Sequence, residues 1–334
     1  MCIRDRYISV IIVNYNGEEW LEPCVQSVAD QSFTNFECFI VDNNSTDKSL
    51  ERLPDLDSRF HLIKSPANLG FAAGNNLAAK RAKGKWLALL NPDAFAHKDW
   101  LEKLLAATEL APNVTMVGST QYFAYEDNMF DGIGDELHAF GLAYRSGFGH
   151  KVHPVVTRET FAPCGAGALL EHETFQRLGG FDETFFCYHE DIDLAYLMRL
   201  DGGICIQSAD AKIDHVSSGI SGRASDFAIY HGTRNRVWTF MKNTPRGLMP
   251  LLFPGHILMN ILMLIWSIFR SKRAKPTWRG MKDGFLKRPR SETLLPARKI
   301  SYIALLKSFA WSPIKLKKRA PIKTAKFISH KKTR

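Results

Sequence analysis

Two hydrophobic rhythms alternate along the front of the chain. Unbroken apolar runs, YISVIIV (7–13), FECFIV (36–41), FHLIK (60–64) and KWLALL (85–90), are separated by stretches in which apolar residues return every three or four positions: GEEWLEPCVQSVADQ, DKSLERL and FAAGNNLAAKRA. The runs predict strands and the spaced stretches predict helices. Strands alternating with helices predict βαβ units and a mostly parallel sheet. Further on, TMVGSTQYF predicts a strand opening an irregular stretch, 115–150, rich in glycine and aromatic residues. Order returns at CGAGALLEHETFQRLGGFDETFF, followed by a helix over 190–201, strands near GICIQS and AKIDHV, and a helix over 225–242.

In an open α/β sheet, ligands bind beyond the carboxyl ends of the strands. Polar and glycine-rich clusters fall at those places: NYNG after the first strand, DNNSTD after the second, SPANLGFAAGNN after the third and NPDA after the fourth. Any one of them reads equally well as turn chemistry. Together, on one sheet edge, they predict a site.

Past Pro245 the pattern changes. No charged residue occurs from Gly247 through Phe269, and HILMNILMLIWSIF (256–269) is the apolar core of that run. A membrane span needs about 20 apolar residues. Pro250 and Pro254 leave an uninterrupted helix of about 15, suited to lying in a membrane interface or re-entering it; a buried core helix is the other reading. The net charge of +10 is divided unevenly, with 23 Lys+Arg against 32 Asp+Glu in residues 1–269 and 21 against 2 in residues 270–334. A basic segment of this kind suits a polyanionic surface, either membrane lipid or nucleic acid. Near an anionic leaflet, each basic residue of RSKRAK and LKKRAPIKTAK adds about 1 kcal/mol. The six cysteines form no C-x-x-C pair, so neither a zinc framework nor a disulfide scaffold is expected and a reducing, cytosolic setting fits. No apolar stretch with a cleavage site precedes the first strand, so no signal peptide is expected. Met1 to Arg6 reads as a polar arm or as a stub from an incorrect gene start.

The clusters carry specific chemistry. Asp42 ends the second strand, where a carboxylate can accept the N–H of a pyrimidine while Asn43, Asn44 and Ser45 meet ribose or phosphate; the plain alternative is a capping box. NLGFAAGNN (68–76) sets Gly70 and Gly74 at a helix N-terminus, allowing close approach of a nucleotide and leaving N–H groups for an anion. The turn after the first strand holds only Gly17, without the glycine fingerprint of a dinucleotide-binding domain, which argues against an NAD-dependent oxidoreductase. Asp93 in NPDA suits a divalent cation bound mainly through substrate phosphates. His215 is its natural second ligand, with an ordinary surface or core histidine as the plain alternative; Asp214 is less well placed, because strand neighbours point to opposite faces. In FCYHEDIDLAYLMR, Glu190, Asp191 and Asp193 crowd a helix start, where acids favour the helix dipole with no chemistry required. Arg234 and Arg236 can reach a diphosphate or can line a solvated helix face.

The motifs ISVIIVNYNG, VDNNSTD, NLGFAAGNN, NPDA, CGAGALL, GGFDETFFCYHEDIDLAYLMR, HVSSGISG and YHGTRN together resemble glycosyltransferase family 2, in the subgroup of bacterial rhamnosyltransferases. The resemblance implies the α/β GT-A fold, a Rossmann-like, mostly parallel sheet flanked by helices. It divides the chain into a catalytic domain, 1–245, and an apolar helix with a basic, membrane-associating tail, 246–334. It implies inverting transfer from a nucleotide-diphospho-sugar, with dTDP-L-rhamnose the favoured donor, to a lipid-linked saccharide at the cytoplasmic face of a bacterial plasma membrane, and Mg²⁺ or Mn²⁺ as cofactor. By matching position, Asp191 is the catalytic base with Glu190 and Asp193 as supporting acids. Asp42 contacts the base, and Asn14, Asn16, Asn44, Asn68, Gly70, Gly74, Asn75, Asn91 and Arg234 line the nucleotide-sugar site. Asp93 and His215 hold the metal, although NPD carries one carboxylate where the family's D-x-D carries two.

The competing class is a binding module, a catalytically inactive transferase front with a tail that grips nucleic acid, with Trp278, Phe285, Tyr302 and Trp311 as stacking sites. It leaves the uncharged run without a role, so nucleic acid is not the expected partner.

Overall fold

The computed structural model describes residues 8–126, 128–217, 225–269, 273–287 and 297–311. Its front half follows the hydrophobic rhythm: β1 (Ile8–Asn14), α1 (Leu21–Ala29), β2 (Phe36–Asp42), β3 (Phe60–Lys64), α2 (Gly70–Ala79) and β4 (Trp86–Leu90). β1 pairs in parallel with β2 and with β4, and β2 with β3. In this register Asn14 lies opposite Asp42, and Asp42 opposite Lys64, so the polar clusters leave the sheet along one edge. Strand alternation sorts β1 between two cores. Ile8, Val10 and Ile12 pack with Leu21, Val25 and Val28 of α1, while Ile11 and Val13 pack on the opposite face. Fully burying each such side chain contributes about 1.5–3 kcal/mol.

The chain continues through β5 (Ala94–Ala96), α3 (Trp100–Thr108), β6 (Val114–Phe123), β7 (Phe130–Gly132), β8 (Asp135–Leu137), β9 (Ala143–Arg145), β10 (Arg158–Thr160), β11 (Gly167–Glu171), α4 (His172–Arg177), α5 (Glu190–Leu200) and β12 (Ile204–His215). The main sheet runs β10-β12-β6-β11-β4-β1-β2-β3, with β5 on β12 and β7 on β6. β11 is antiparallel to both neighbours, and β12 is parallel to β6. The result is the expected GT-A architecture, parallel from β4 to β3 and mixed beyond it. GICIQS and AKIDHV belong to one strand, β12, whose register on β6 shifts between Gln207 and Lys212.

DKSLERL, expected to be helical, forms turns instead. The Asp47 carboxylate accepts from Ser49 N at 3.1 Å, Ser49 Oγ at 2.6 Å and Glu18 N at 2.8 Å. A side chain that takes backbone donors in this way competes with the helical ladder.

The C-terminal part comprises α6 (Asp226–Asn243), α7 (Met249–Ile268), α8 (Ala274–Leu286) and α9 (Tyr302–Ser308). α7 runs unbroken through Pro254 for 20 residues, correcting the shorter helix expected, and is long and apolar enough to cross a membrane. Packing holds it past the proline: Gly255 lies against the Phe140 ring, His256 Nδ1 meets Phe140 O at 2.8 Å, and the His256 and Phe240 rings stack at 3.9 Å. The helix faces the body with Leu252, His256, Asn260 and Ser267. It shows Leu251, Leu258, Leu262, Ile265, Trp266 and Phe269 to solvent. Asn260 Oδ1 accepts from the buried Arg236 Nη2 at 2.5 Å. Packing continues across residue 245: Leu305 and Phe309 join the core beside Phe161 and Tyr196. Residues 1–6, most of HVSSGISG and LKKRAPIKTAK lie outside the described residues.

Candidate active site

Where the sheet edge meets α5 there is a cavity of about 840 Å³, lined among others by Asn43, Asn68, Asn91, Asp93, Asp191 and His215. That volume suits a bound small molecule. A second cleft, about 650 Å³, lies beside α2 and α4 and contains neither Asp93, Asp191 nor His215.

Asp93 follows β4 and His215 ends β12, two elements that β5 draws together by pairing Ala94 with His215. His215 Nε2 lies 3.3 Å from Asp93 Oδ1, and its Nδ1 lies 2.8 Å from Asp131 Oδ2. Both carboxylates act to raise the ring's basicity against the opposing effect of burial, and the net shift is upward. A nitrogen and a carboxylate oxygen at this spacing fit adjacent positions on one hard divalent ion with bonds of about 2.1 Å. Asp131 completes the arrangement by orienting the ring, as partners of metal-bound histidines do.

A second group, Asp135, Cys164 and Asp191, also gathers ligand atoms within 4.8 Å of one another. Arg145 already supplies the positive charge there, with Nη2 at 2.7 Å from Cys164 Sγ and Nε at 3.5 Å from Asp135 Oδ1. Burial pushes the Cys164 thiol far up. A protonated thiol beside a guanidinium does not suit Mg²⁺ or Mn²⁺, so Asp93 and His215 are the better donors.

Asp191, which also lines the cavity, is the second residue of α5. Its Oδ2 accepts from Gly165 N at 3.1 Å and its Oδ1 from Ile192 N at 2.8 Å. Burial raises its pKa, with these bonds and Arg145 pulling the other way. Glu190 is pushed well above the ordinary range, first by burial and then by Asp191, and its Oε2 is buried without a hydrogen-bond partner. Burial and the neighbouring charge push Glu190 up further than Asp191, which two backbone N–H groups and Arg145 pull back, so of the two adjacent carboxyls Asp191 holds the charge more readily.

Asp193 lies away from the cavity lining. It is buried, with Oδ2 at 2.7 Å from Lys242 Nζ and Oδ1 at 2.7 Å from Asn243 Nδ2. Asn68, Gly70 and Asn91 line the cavity. Asp42 sits beneath it, bonded to Asn14 Nδ2 at 3.3 Å and Ser45 N at 3.3 Å. Asn14 is spent on Asp42, Ser45 and Ser49, and Asn16 Oδ1 caps Thr46 N at 2.8 Å. Asn44 turns outward at φ 62, while its neighbour Asn43 lines the cavity and donates to Gly70 O at 3.0 Å. Gly74 serves packing, since a β-carbon there would come within 2.6 Å of Val13 Cγ1. Asn75 donates to Phe71 O within its own helix. Arg234 is turned from the cavity toward the carbonyls of Thr184 and Phe185, and Arg236 is buried against α7.

The sequence profile of glycosyl transferase family 2 matches residues 9–178, just over half of the chain. The chain belongs to glycosyl transferase family 2. The family 2 match includes Asp42 and Asp93 and ends before Asp191 and His215. A Bacillus subtilis glycosyltransferase named for teichuronic acid biosynthesis, TuaG, is 40% identical over 101 residues, 29% of this chain and 40% of that one. The Myxococcus xanthus O-antigen biosynthesis protein RfbC is 28% identical over 229 residues, 63% of this chain and 17% of that one. The chain thus spans less than half the length of these curated relatives. Among solved structures, the Pyrobaculum calidifontis mannosyltransferase PcManGT with GDP-Man and Mn²⁺ aligns over 90% of this chain and 78% of its own at TM-score 0.54 and 19% identity. GalNAc-T7 with UDP, GalNAc and Mn²⁺ aligns over 69% and 48%, at TM-score 0.56 and 18% identity. Both share the family 2 chain's fold.

Around this cavity, Asp131, Asp135 and Arg145 are the residues that sequence reasoning missed, while Asn43, named beside Asn44 for ribose or phosphate, is the one of that pair that lines it. All three fall in the aperiodic stretch 115–150, where an arginine following two aspartates within 15 residues was the signal available.

Proposed function

We propose that this chain is an inverting glycosyltransferase that moves a sugar from a nucleotide-diphospho-sugar to a lipid-linked saccharide in cell-surface polysaccharide synthesis, with dTDP-L-rhamnose as the favoured donor and a UDP- or GDP-sugar as the alternative. One observation carries this reading: a single cavity is lined both by Asp191, whose carboxylate accepts two backbone N–H groups, and by the Asp93/His215 donor pair. The donor preference rests on the rhamnosyltransferase-like motifs; UDP and GDP-Man are what the structural neighbours hold.

In the reaction, Asp191 takes the proton of an acceptor hydroxyl. The freed oxygen bonds to the anomeric carbon from the face opposite the diphosphate, whose bond to that carbon breaks with its electron pair. Glu190, being neutral, keeps a second negative charge away from the base. Mg²⁺ or Mn²⁺ on Asp93 and His215 would supply neutralisation of charge on the departing diphosphate. Asp42, beneath the lining, supports a pyrimidine-reading role through the loop that it anchors.

The outward apolar face of α7 and the 21 basic residues of 270–334 support residence on the inner leaflet of the cytoplasmic membrane, the helix lying on the bilayer with its polar stripe against the body. On this reading residues 1–245 are catalytic and 246–334 membrane-associating.

The test is a donor screen with dTDP-rhamnose, UDP-sugars and GDP-mannose against a polyprenyl-diphosphate saccharide, reading released nucleotide. Turnover with one donor, loss in EDTA, and loss in Asp191→Asn with nucleotide binding retained are expected; an active Asp191→Asn removes Asp191 as base. Flotation with anionic but not neutral vesicles is expected as well, and its absence removes the membrane assignment.

A further inference from the structure

Between the short 3-10 turn Glu183–Phe185 and α5, the backbone is strained. Phe186, Tyr188 and His189 have φ of 67, 68 and 70, and none is glycine. Phe186, with ψ −63, centres a γ-turn closed by Cys187 N donating to Phe185 O at 2.8 Å. This is the rare, positive-φ form of that turn. A β-carbon makes each of these conformations unfavourable, and they persist only where the surroundings over-determine them.

Asn235 of α6 does much of that work. Wholly buried, its Nδ2 donates to Phe185 O at 3.0 Å, Cys187 O at 2.9 Å and Tyr188 O at 2.7 Å. Two amide hydrogens serve three carbonyls, so one bond is shared. Arg234 sets the amide's orientation, its Nε donating to Asn235 Oδ1 at 2.8 Å. The same guanidinium donates to Thr184 O and Phe185 O and stacks over Trp238 at 4.1 Å. From the opposite side, Ala72 N donates to Phe186 O at 3.2 Å, and Gly70 leaves room for that carbonyl.

We propose that Asn235, oriented by Arg234, is a positioning residue that holds the 184–189 loop in its strained form and so aims Asp191 into the cavity. This rests on the reading of Asp191 as the base. The loop ends at His189, and α5 starts one residue later, so a relaxed loop re-aims the first turn of the helix. Asp191 then loses its alignment with Gly165 N and with the acceptor. A misplacement of about 1 Å at a reacting group lowers rate about 100-fold. Arg234, assigned by its motif to the diphosphate, acts on the loop instead.

The experiment uses the full chain with Cys2→Ser, carrying Asn235→Ala, Arg234→Met, Asp191→Asn or Leu305→Ala, the last a buried α9 residue chosen as a control for lost stability. Three quantities are read: kcat and donor KM with the donor found in the screen, UDP and dTDP affinity by calorimetry, and the rate at which Cys187 reacts with a thiol reagent. Cys187 is the partly exposed thiol of this loop, while Cys24, Cys38, Cys164 and Cys205 are buried. In Asn235→Ala, kcat is expected to fall about 100-fold, with nucleotide affinity unchanged and Cys187 reacting faster. Arg234→Met is expected to move the same quantities in the same direction, less far, and keeps the test open if Asn235→Ala does not fold. An unchanged kcat in both variants overturns the proposal. So does a loss matched by Leu305→Ala at equal Tm with Cys187 no faster, or a weakened nucleotide affinity in Arg234→Met. Asp191→Asn separates the two readings: if it is active, the base assignment fails and this role with it; if it is inactive beside a fully active Asn235→Ala, Asn235 alone is wrong.

Discussion

Asp131→Asn isolates what a carboxylate behind a histidine contributes. Asp131 Oδ2 stands 2.8 Å from His215 Nδ1 and 2.7 Å from Arg145 Nη1, and its side chain is 0% exposed beside a ring that is 5% exposed. Asparagine keeps the shape and removes the charge. The ring then keeps at most a neutral amide oxygen in place of the charged partner that fixes its Nδ1–H tautomer and leaves Nε2 free to bind a cation. Loss of such a partner typically weakens metal affinity 10- to 100-fold, about 1.4–2.7 kcal/mol at 1.4 kcal/mol per tenfold. The measurement is Mn²⁺ binding by electron paramagnetic resonance with saturating UDP or dTDP, on wild type, Asp131→Asn and His215→Ala. The expected order of affinity is wild type, then Asp131→Asn, then His215→Ala. Asp131→Asn within twofold of wild type, beside a His215→Ala that has lost binding, would refute the orienting role.

Two further perturbations test the acids around α5. Glu190→Gln is expected to stay within a few-fold of wild-type activity near pH 7, because glutamine copies the neutral acid; loss comparable to Asp191→Asn contradicts that protonation state. Since the folded Glu190 pKa lies above its unfolded value of about 4.3, wild-type stability declines as pH rises from there toward the folded value. The Tm of Glu190→Gln relative to wild type should therefore climb between pH 5 and pH 8, and a flat difference counts against it. Lys242→Met leaves Asp182 and Asp193, each 1% exposed and within 2.8 Å of the ammonium, without their cation. Breaking a buried pair costs about 3–5 kcal/mol. A chemical denaturation midpoint unchanged in Lys242→Met would show that the pair carries no such energy.

The parallel half of the fold was legible because β1, β2 and β4 are buried on both faces and so read as unbroken apolar runs. Their polar clusters were legible for the same reason, since each begins where burial ends. The finer assignment failed where one residue's turn geometry decides: positive φ at Asn44 sends it outward and leaves Asn43 facing the cavity. Asp131, Asp135 and Arg145 escaped because β7, β8 and β9 are three residues each, too short to show a period, and because the His215 that Asp131 orients lies 84 residues on. Asp191 and Asp193 look alike in the motif, yet two residues along a helix turn them to different surroundings, one to Gly165 and the cavity, the other to Lys242. Pro254 was over-read as a stop because tertiary contacts at Gly255 and His256 outweigh one missing backbone bond.

Three successive residues of α6 serve two clients. Arg234 and Asn235 hold the 184–189 loop, and Arg236 holds Asn260 on α7. A shortened chain ending at Asn243 would therefore not be the same enzyme with an anchor trimmed off. Stripping α7 takes Asn260 from a guanidinium whose pKa burial already lowers to about 10, next to the residue that shapes the loop. Work that seeks a soluble fragment by cutting before Met249 is altering the support of the active site, and a weak activity in such a fragment says little about the intact protein.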